Sequence, residues 1–155
     1  MKTTKLAVAL AALFAAVMVA FAAADVNMGT WKLNEAKSKI PAGAGKNTNV
    51  VYAMAGDSVK VTVDGVDGTG KLTHNEWTGK FDGKDYPVTG DPQYDMRAYT
   101  RVNDHTLSTV EKKGGEVTLK GRIVVAPDGK SRTLTTHTTD AKGNKVTAVT
   151  VYDKQ

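Results

Sequence analysis

The sequence predicts an all-β protein, an antiparallel up-and-down meander of about eight to ten strands closing into a barrel. Three observations predict it. Turn-forming pairs (Gly56-Asp57, Asp67-Gly68, Asp82-Gly83, Asn103-Asp104, Gly114-Gly115, Asp128-Gly129 and Gly143-Asn144) punctuate the chain at the spacing of short hairpins. Between them apolar and polar residues alternate with the two-residue period of a sheet that has one wet face. Beyond residue 24 no stretch sustains a helical period. A meander in which each strand pairs with the next is most economically closed on itself, because closure removes exposed edges.

Taken in order, the first element is a leader. Lys2 and Lys5 precede the apolar run LAVALAALFAAVMVAF, and Ala22-Ala23-Ala24 supplies the small residues that a signal peptidase reads. The run is 16 residues long, short of the about 20 that span a bilayer. Twin arginines and a lipid-carrying cysteine are both missing. A Sec-type signal peptide over 1–24 is therefore expected, cleaved after Ala24, with 25–155 a single barrel domain in the periplasm or secreted.

Strands are expected at 29–33, 48–55, 58–64, 71–81, 84–89, 94–102, 106–112, 116–126, 130–139 and 145–153. Val59, Val61 and Val63 share one face opposite Lys60, Thr62 and Asp64; Val117, Leu119, Ile123 and Val125 repeat the pattern. Trp77 and Phe81 share the inward side of their strand, leaving His74 and Glu76 on the wet side. Residues 34–47 hold a helical turn around 35–38, ended by Pro41.

Composition narrows the function. The absence of cysteine excludes thiol nucleophiles and thiolate metal sites, and leaves the fold to packing and hydrogen bonds. The net charge of +5 falls to +3 when Lys2 and Lys5 leave with the leader. So small and mixed a charge lacks the basic stripe of a nucleic-acid binder. Aliphatic residues are few and threonine is abundant, as in TLTTHTT at 133–139. Such strands make either a narrow barrel or one that keeps a partly polar cavity.

Two short stretches carry a family likeness. Gly29-Thr30-Trp31-Lys32-Leu33 resembles the first-strand signature of the calycins, the superfamily of lipocalins and fatty-acid-binding proteins, and Val151-Tyr152-Asp153-Lys154 is similar to the fatty-acid-binding proteins' last strand, Arg-x-Tyr-Glu-Lys. The chain also resembles small secreted bacterial proteins called lipocalin-like. The resemblance implies a ligand-carrying barrel whose end is closed by Trp31, with Gly29 beside it. The chain departs from the pattern in several places. Thr150 stands where the carboxylate-gripping Arg would be, and 34–47 is too short for a helical lid. Lys84-Asp85-Tyr86 only approximates the lipocalin Thr-Asp-Tyr loop, and the last strand lacks the Arg that stacks on the first-strand Trp.

Other constellations have structural readings. Pro41-Ala42-Gly43-Ala44-Gly45-Lys46 misses the phosphate-loop spacing at two positions and reads as a loop at the barrel mouth. His74, His105 and His137 lie on three separate elements, without zinc-site spacing. Asp64, Asp67, Asp82 and Asp85 belong to glycine-rich turns. Ser38, Ser58, Ser108 and Ser131 sit in no nucleophile elbow. No metal or cofactor is expected.

The residues with binding chemistry for a lumen are Tyr52, Trp77, Tyr99, Arg132 and Tyr152: flat rings with polar tips, and one arginine that would select an anionic group. The expected function is binding of a small hydrophobic or amphiphilic molecule without catalysis. The first alternative is a packed barrel recognising a protein or surface. The second is a small cofactor-free isomerase or cyclase using His74 with Glu76, or Arg132, which requires His74 to point inward.

Overall fold

The computed structural model describes residues 24–155, so the expected leader lies outside the described residues except for Ala24. Ten strands form one closed antiparallel barrel: β1 (Gly29–Leu33), β2 (Lys46–Ala55), β3 (Ser58–Val66), β4 (Leu72–Gly79), β5 (Tyr86–Thr89), β6 (Met96–Asn103), β7 (Thr106–Lys113), β8 (Glu116–Val125), β9 (Ser131–Thr139) and β10 (Lys145–Lys154). Each pairs with its sequence neighbour, and β1 closes the cylinder by pairing β2 on one side and β10 on the other, Trp31 lying opposite both Val50 and Lys154. The predicted meander is the observed one. Among the described residues no helix is long and apolar enough to cross a membrane.

The expected helical turn is a single 3-10 turn, Glu35–Lys37, capped by the Asn34 carboxamide, which accepts from the Lys37 N–H at 3.2 Å. The Ser38 hydroxyl then accepts from the Val151 N–H at 2.9 Å, fastening the connection to β10. Strand ends differ from expectation by one or two residues; β2 begins two residues early, at Lys46, β3 runs two residues on, to Val66, and three ends fall two residues short. β4 stops at Gly79, β5 begins only at Tyr86 and β6 only at Met96. Gly79 explains the first: a Cβ there would stand 2.5 Å from Tyr86 Cγ and 2.7 Å from Trp77 Cζ2, so the chain ends its strand where two rings fill the space over the backbone.

Alternation holds along most strands. Val59, Val61, Val63, Ile123 and Val125 are buried inside. Val117, expected with the last two, is instead 48% exposed. The β7–β8 ladder shifts register between Glu111 and Lys112, beside Val117, and a bulge there breaks the two-residue period at the barrel rim.

The two barrel ends are built differently. At the end carrying the chain termini, the segment before β1 folds under the core. Asn27 is fully buried, Val26 and Met28 pack on the core cluster, and the Trp31 indole N–H donates to the Asn27 carbonyl at 2.9 Å. Asp25 pairs with Arg101, and Lys154 Nζ donates to the Val26 carbonyl at 3.1 Å. Trp31, Trp77, Phe81 and Leu107 fill this end. The opposite end, ringed by the β1–β2, β3–β4 and β5–β6 connections, is the mouth.

Candidate functional site

A cavity of about 530 Å³ enters the barrel from the mouth. Its existence follows from an asymmetry between walls. Toward the mouth, β9 and β10 border it with small or short residues, Thr136, Thr138, Val146, Ala148 and Thr150, which leave space that the aromatic residues of β2 and β6 do not reach across. Gly121 contributes closeness rather than space: a Cβ there would lie 2.8 Å from Thr109 Cγ2 and 3.3 Å from Leu134 Cδ1.

The deep part is aromatic and cationic. Tyr52 and Tyr99 approach with ring centroids 6.1 Å apart, and the Tyr52 hydroxyl donates to that of Tyr99 at 3.2 Å. The Arg132 guanidinium lies over three rings, 4.7 Å from the centroid of Trp31, 4.8 Å from Tyr52 and 5.1 Å from Tyr152. Arg132 is 3% exposed, and its Nε and Nη1 have no hydrogen-bond partner. Among the described residues it makes no salt bridge. Burial raises the Tyr99 phenol well above its ordinary value, and raises that of Tyr152 although Arg132 pulls the other way. Both rings are therefore neutral and offer the guanidinium no counter-charge.

A second buried cation on the lumen wall is paired. Arg97 Nε donates to Glu111 Oε1 at 2.8 Å, and Nη2 donates to Asn75 Oδ1 at 3.3 Å and to the Tyr94 hydroxyl at 3.2 Å. Nη1 and the neighbouring Thr109 hydroxyl are unpartnered. Burial opposes the charge on Arg97, but the Glu111 carboxylate at 2.8 Å favours it, and the guanidinium stays charged. Burial pushes the Glu111 carboxyl up, with Arg97 pulling it down.

Of the residues expected in a lumen, Tyr52, Tyr99, Arg132 and Tyr152 border the cavity, and Trp77 does not. Trp77 points inward, but at the closed end, where its N–H donates to the Arg97 carbonyl at 2.9 Å and its ring meets Phe81, Tyr86 and Tyr99 with centroids 6.4, 5.8 and 4.9 Å away. Parity gave the right face and the wrong height along the barrel axis. Trp31 is fully buried at the closed end beside Gly29, whose φ of 110° few other residues adopt and whose missing Cβ admits Lys154 Cε at 3.0 Å. Two cations lie over the Trp31 ring, Arg132 of β9 at 4.7 Å and Lys154 Nζ of β10 at 5.0 Å from its centroid.

His74 lies on the outer wall, its Nδ1 2.6 Å from Asp64 Oδ1, and Glu76 pairs with Lys60 at 2.7 Å. The inward His74 that an isomerase or cyclase reading needs is not what the fold provides. His105 and His137 make separate contacts, to the Val125 carbonyl and the Thr147 hydroxyl, and no group of three metal-ligating residues occurs among the described residues. Asp67 and Asp82 accept from turn backbone N–H groups. The loop around Gly43 borders the mouth of the cavity. Exposed apolar residues (Met54, Leu72, Met96, Val102, Val117 and Val124) are spread over β2, β4, β6 and β8 and over both barrel ends.

Sequence reading missed Arg97, Glu111 and Thr109. Part of the signal existed, since Arg97 has the parity of Tyr99; but Arg97 faces Glu111, and Tyr99 faces Thr109, only because the β6–β7 ladder shifts register between Arg101 and Asn103, which the Asn103-Asp104 turn by itself does not announce.

No family model matches this chain, and no curated protein matches it. Among solved structures, one described as "Structure of EF1p2_mFAP2b bound to DFHBI" is similar, with a TM-score of 0.48 and 12% identity over 86% of this chain and 97% of that chain.

Proposed function

We propose that this protein is a calycin-type binder, exported to the periplasm or secreted after cleavage behind Ala24, that holds a small hydrophobic or amphiphilic molecule in its lumen without chemical change. The observation that carries the reading is the cavity of about 530 Å³, entered from one end of a barrel whose other end is plugged. Pockets of roughly 300–1,000 Å³ that bury most of a small ligand combine apolar walls with a few placed polar groups. Here Tyr52, Tyr99 and Tyr152 supply the flat contact surface, and Arg132 and Arg97 the polar groups. The scattering of exposed apolar residues speaks against the protein-docking alternative, since such interfaces gather apolar area into one patch.

The test is native mass spectrometry on protein purified gently from its own secretory compartment. A reproducible extra mass that disappears on denaturation is expected. A bare polypeptide mass, together with unchanged tryptophan fluorescence across a panel of lipids and small aromatics, would sink the proposal.

A further inference from the structure

We infer that the lumen selects a compact two-ended acid: one negative charge seated on Arg132 in the deep part of the cavity, and an uncharged hydroxyl or carbonyl reaching Thr109 and Arg97 Nη1 on the wall. The inference rests on the proposed binding function and names the ligand class for it. It starts from the unpartnered atoms. Apart from the carboxamide oxygen of Asn27 in the plug, every buried side-chain polar atom without a partner among the described residues belongs to Arg97, Thr109 or Arg132, and all three border one cavity.

A buried donor without an acceptor costs free energy, and a buried cation costs more. Protein interiors rarely keep such groups unless something else satisfies them. The two arginines call for different partners. Glu111 already balances Arg97 at 2.8 Å, so the free Nη1 can use a neutral acceptor. Arg132 has three aromatic faces around it and no carboxylate. Cation–π contacts satisfy the face of the guanidinium, whereas its N–H groups point out in the plane and still lack acceptors. A carboxylate or a similar oxyanion is the group that fits them.

The arrangement also limits the body of the ligand. Tyr52 and Tyr99 stand between the two guanidiniums: Arg132 lies 4.8 Å from the Tyr52 centroid and Arg97 5.8 Å from that of Tyr99. A flat ring system can lie against this pair while its ends reach either side. A long single-headed chain would leave Thr109 and Arg97 Nη1 unpaired.

Three naphthalene probes separate the parts by isothermal titration: 6-hydroxy-2-naphthoate, 2-naphthoate without the distal hydroxyl, and methyl 6-hydroxy-2-naphthoate without the charge. The protein should bind the hydroxy acid on the order of tenfold or more tighter than the ester. Arg132→Met should abolish that preference and leave the ester's affinity within about threefold. Thr109→Val should weaken the hydroxy acid severalfold and leave 2-naphthoate unchanged. Retained near-ultraviolet circular dichroism controls for the fold of each variant. Equal binding of acid and ester by the unaltered protein would overturn the anion seat while leaving lumen binding intact. Equal binding of the two acids, insensitive to Thr109→Val, would overturn the second anchor. Binding of none of the probes, with a bare native mass, would overturn lumen binding itself and this inference with it.

Discussion

Replacing Arg132 by methionine should make the empty protein more stable. The side chain is 3% exposed, with Nε and Nη1 unpartnered and no carboxylate paired to it. Removing an ammonium- or guanidinium-sized charge from water costs several kcal/mol even after the protein relaxes. Against this stand three cation–π contacts at 4.7–5.1 Å, each contributing roughly 0.5–2 kcal/mol. Methionine fills similar volume, keeps contact with the rings through its sulfur, and carries no charge to desolvate. The net expectation is a gain of about 1–3 kcal/mol, seen as a rise of about 3–5 °C in Tm for each kcal/mol in a domain of this size. The assay is urea unfolding of ligand-stripped protein followed by tryptophan fluorescence, with the midpoint shifting and the slope unchanged. A loss of 1 kcal/mol or more in the stripped variant would refute the reasoning, because Arg132 would then be a structural fastener of the closed end.

Three other outcomes follow from particular contacts. Ala148→Trp places a large ring in the cavity from β10, between the short Val146 and Thr150, and should abolish any co-purifying mass while leaving the melting temperature unchanged or raised. Gly79→Ala should cost about 1–3 kcal/mol and alter the near-ultraviolet circular dichroism, because the new Cβ would stand 2.5 Å from the Tyr86 ring and 2.7 Å from that of Trp77. Asp25 should make the plug acid-sensitive. Burial pushes its carboxyl up, but hydrogen bonds from the Asn27 backbone and side chain and from Arg101, with the Arg101 charge, outweigh burial and hold it below its ordinary value of 3.8. A depressed carboxyl pKa contributes stability that is present above pH 3.8 and lost as the pH falls through the folded-state value. Asp25→Asn should therefore cost about 1 kcal/mol near neutrality, with the gap to the unaltered protein closing below pH 3.8 in parallel urea titrations.

Much of the fold was legible from local rules. Asp-Gly, Gly-Gly and Asn-Asp pairs set the hairpins, and alternation such as that of Val59, Val61 and Val63 set the inward faces, because a strand's side-chain period is independent of its distant neighbours. Trp31 announced a closed end. Four of the five residues expected in a lumen border the cavity for the same reason: parity alone places Tyr52, Tyr99, Arg132 and Tyr152 inside. Val117 shows where the rule stops, since one register shift at the rim exposes it.

Face, turn and strand order were thus properties of the sequence by itself. Height along the barrel, the plugging of one end by residues 25–28, and the emptiness of the other end were decided only when all ten strands closed. Trp77 and Tyr52 obey the same alternation, yet one is walled in by Phe81 and Tyr86 while the other borders a cavity. Whether Arg132 meets a carboxylate or three neutral rings depends likewise on β1, β2 and β10, strands that share no local pattern with it. Local sterics write the strand; the balance of charge and space inside a barrel is a sum over every wall.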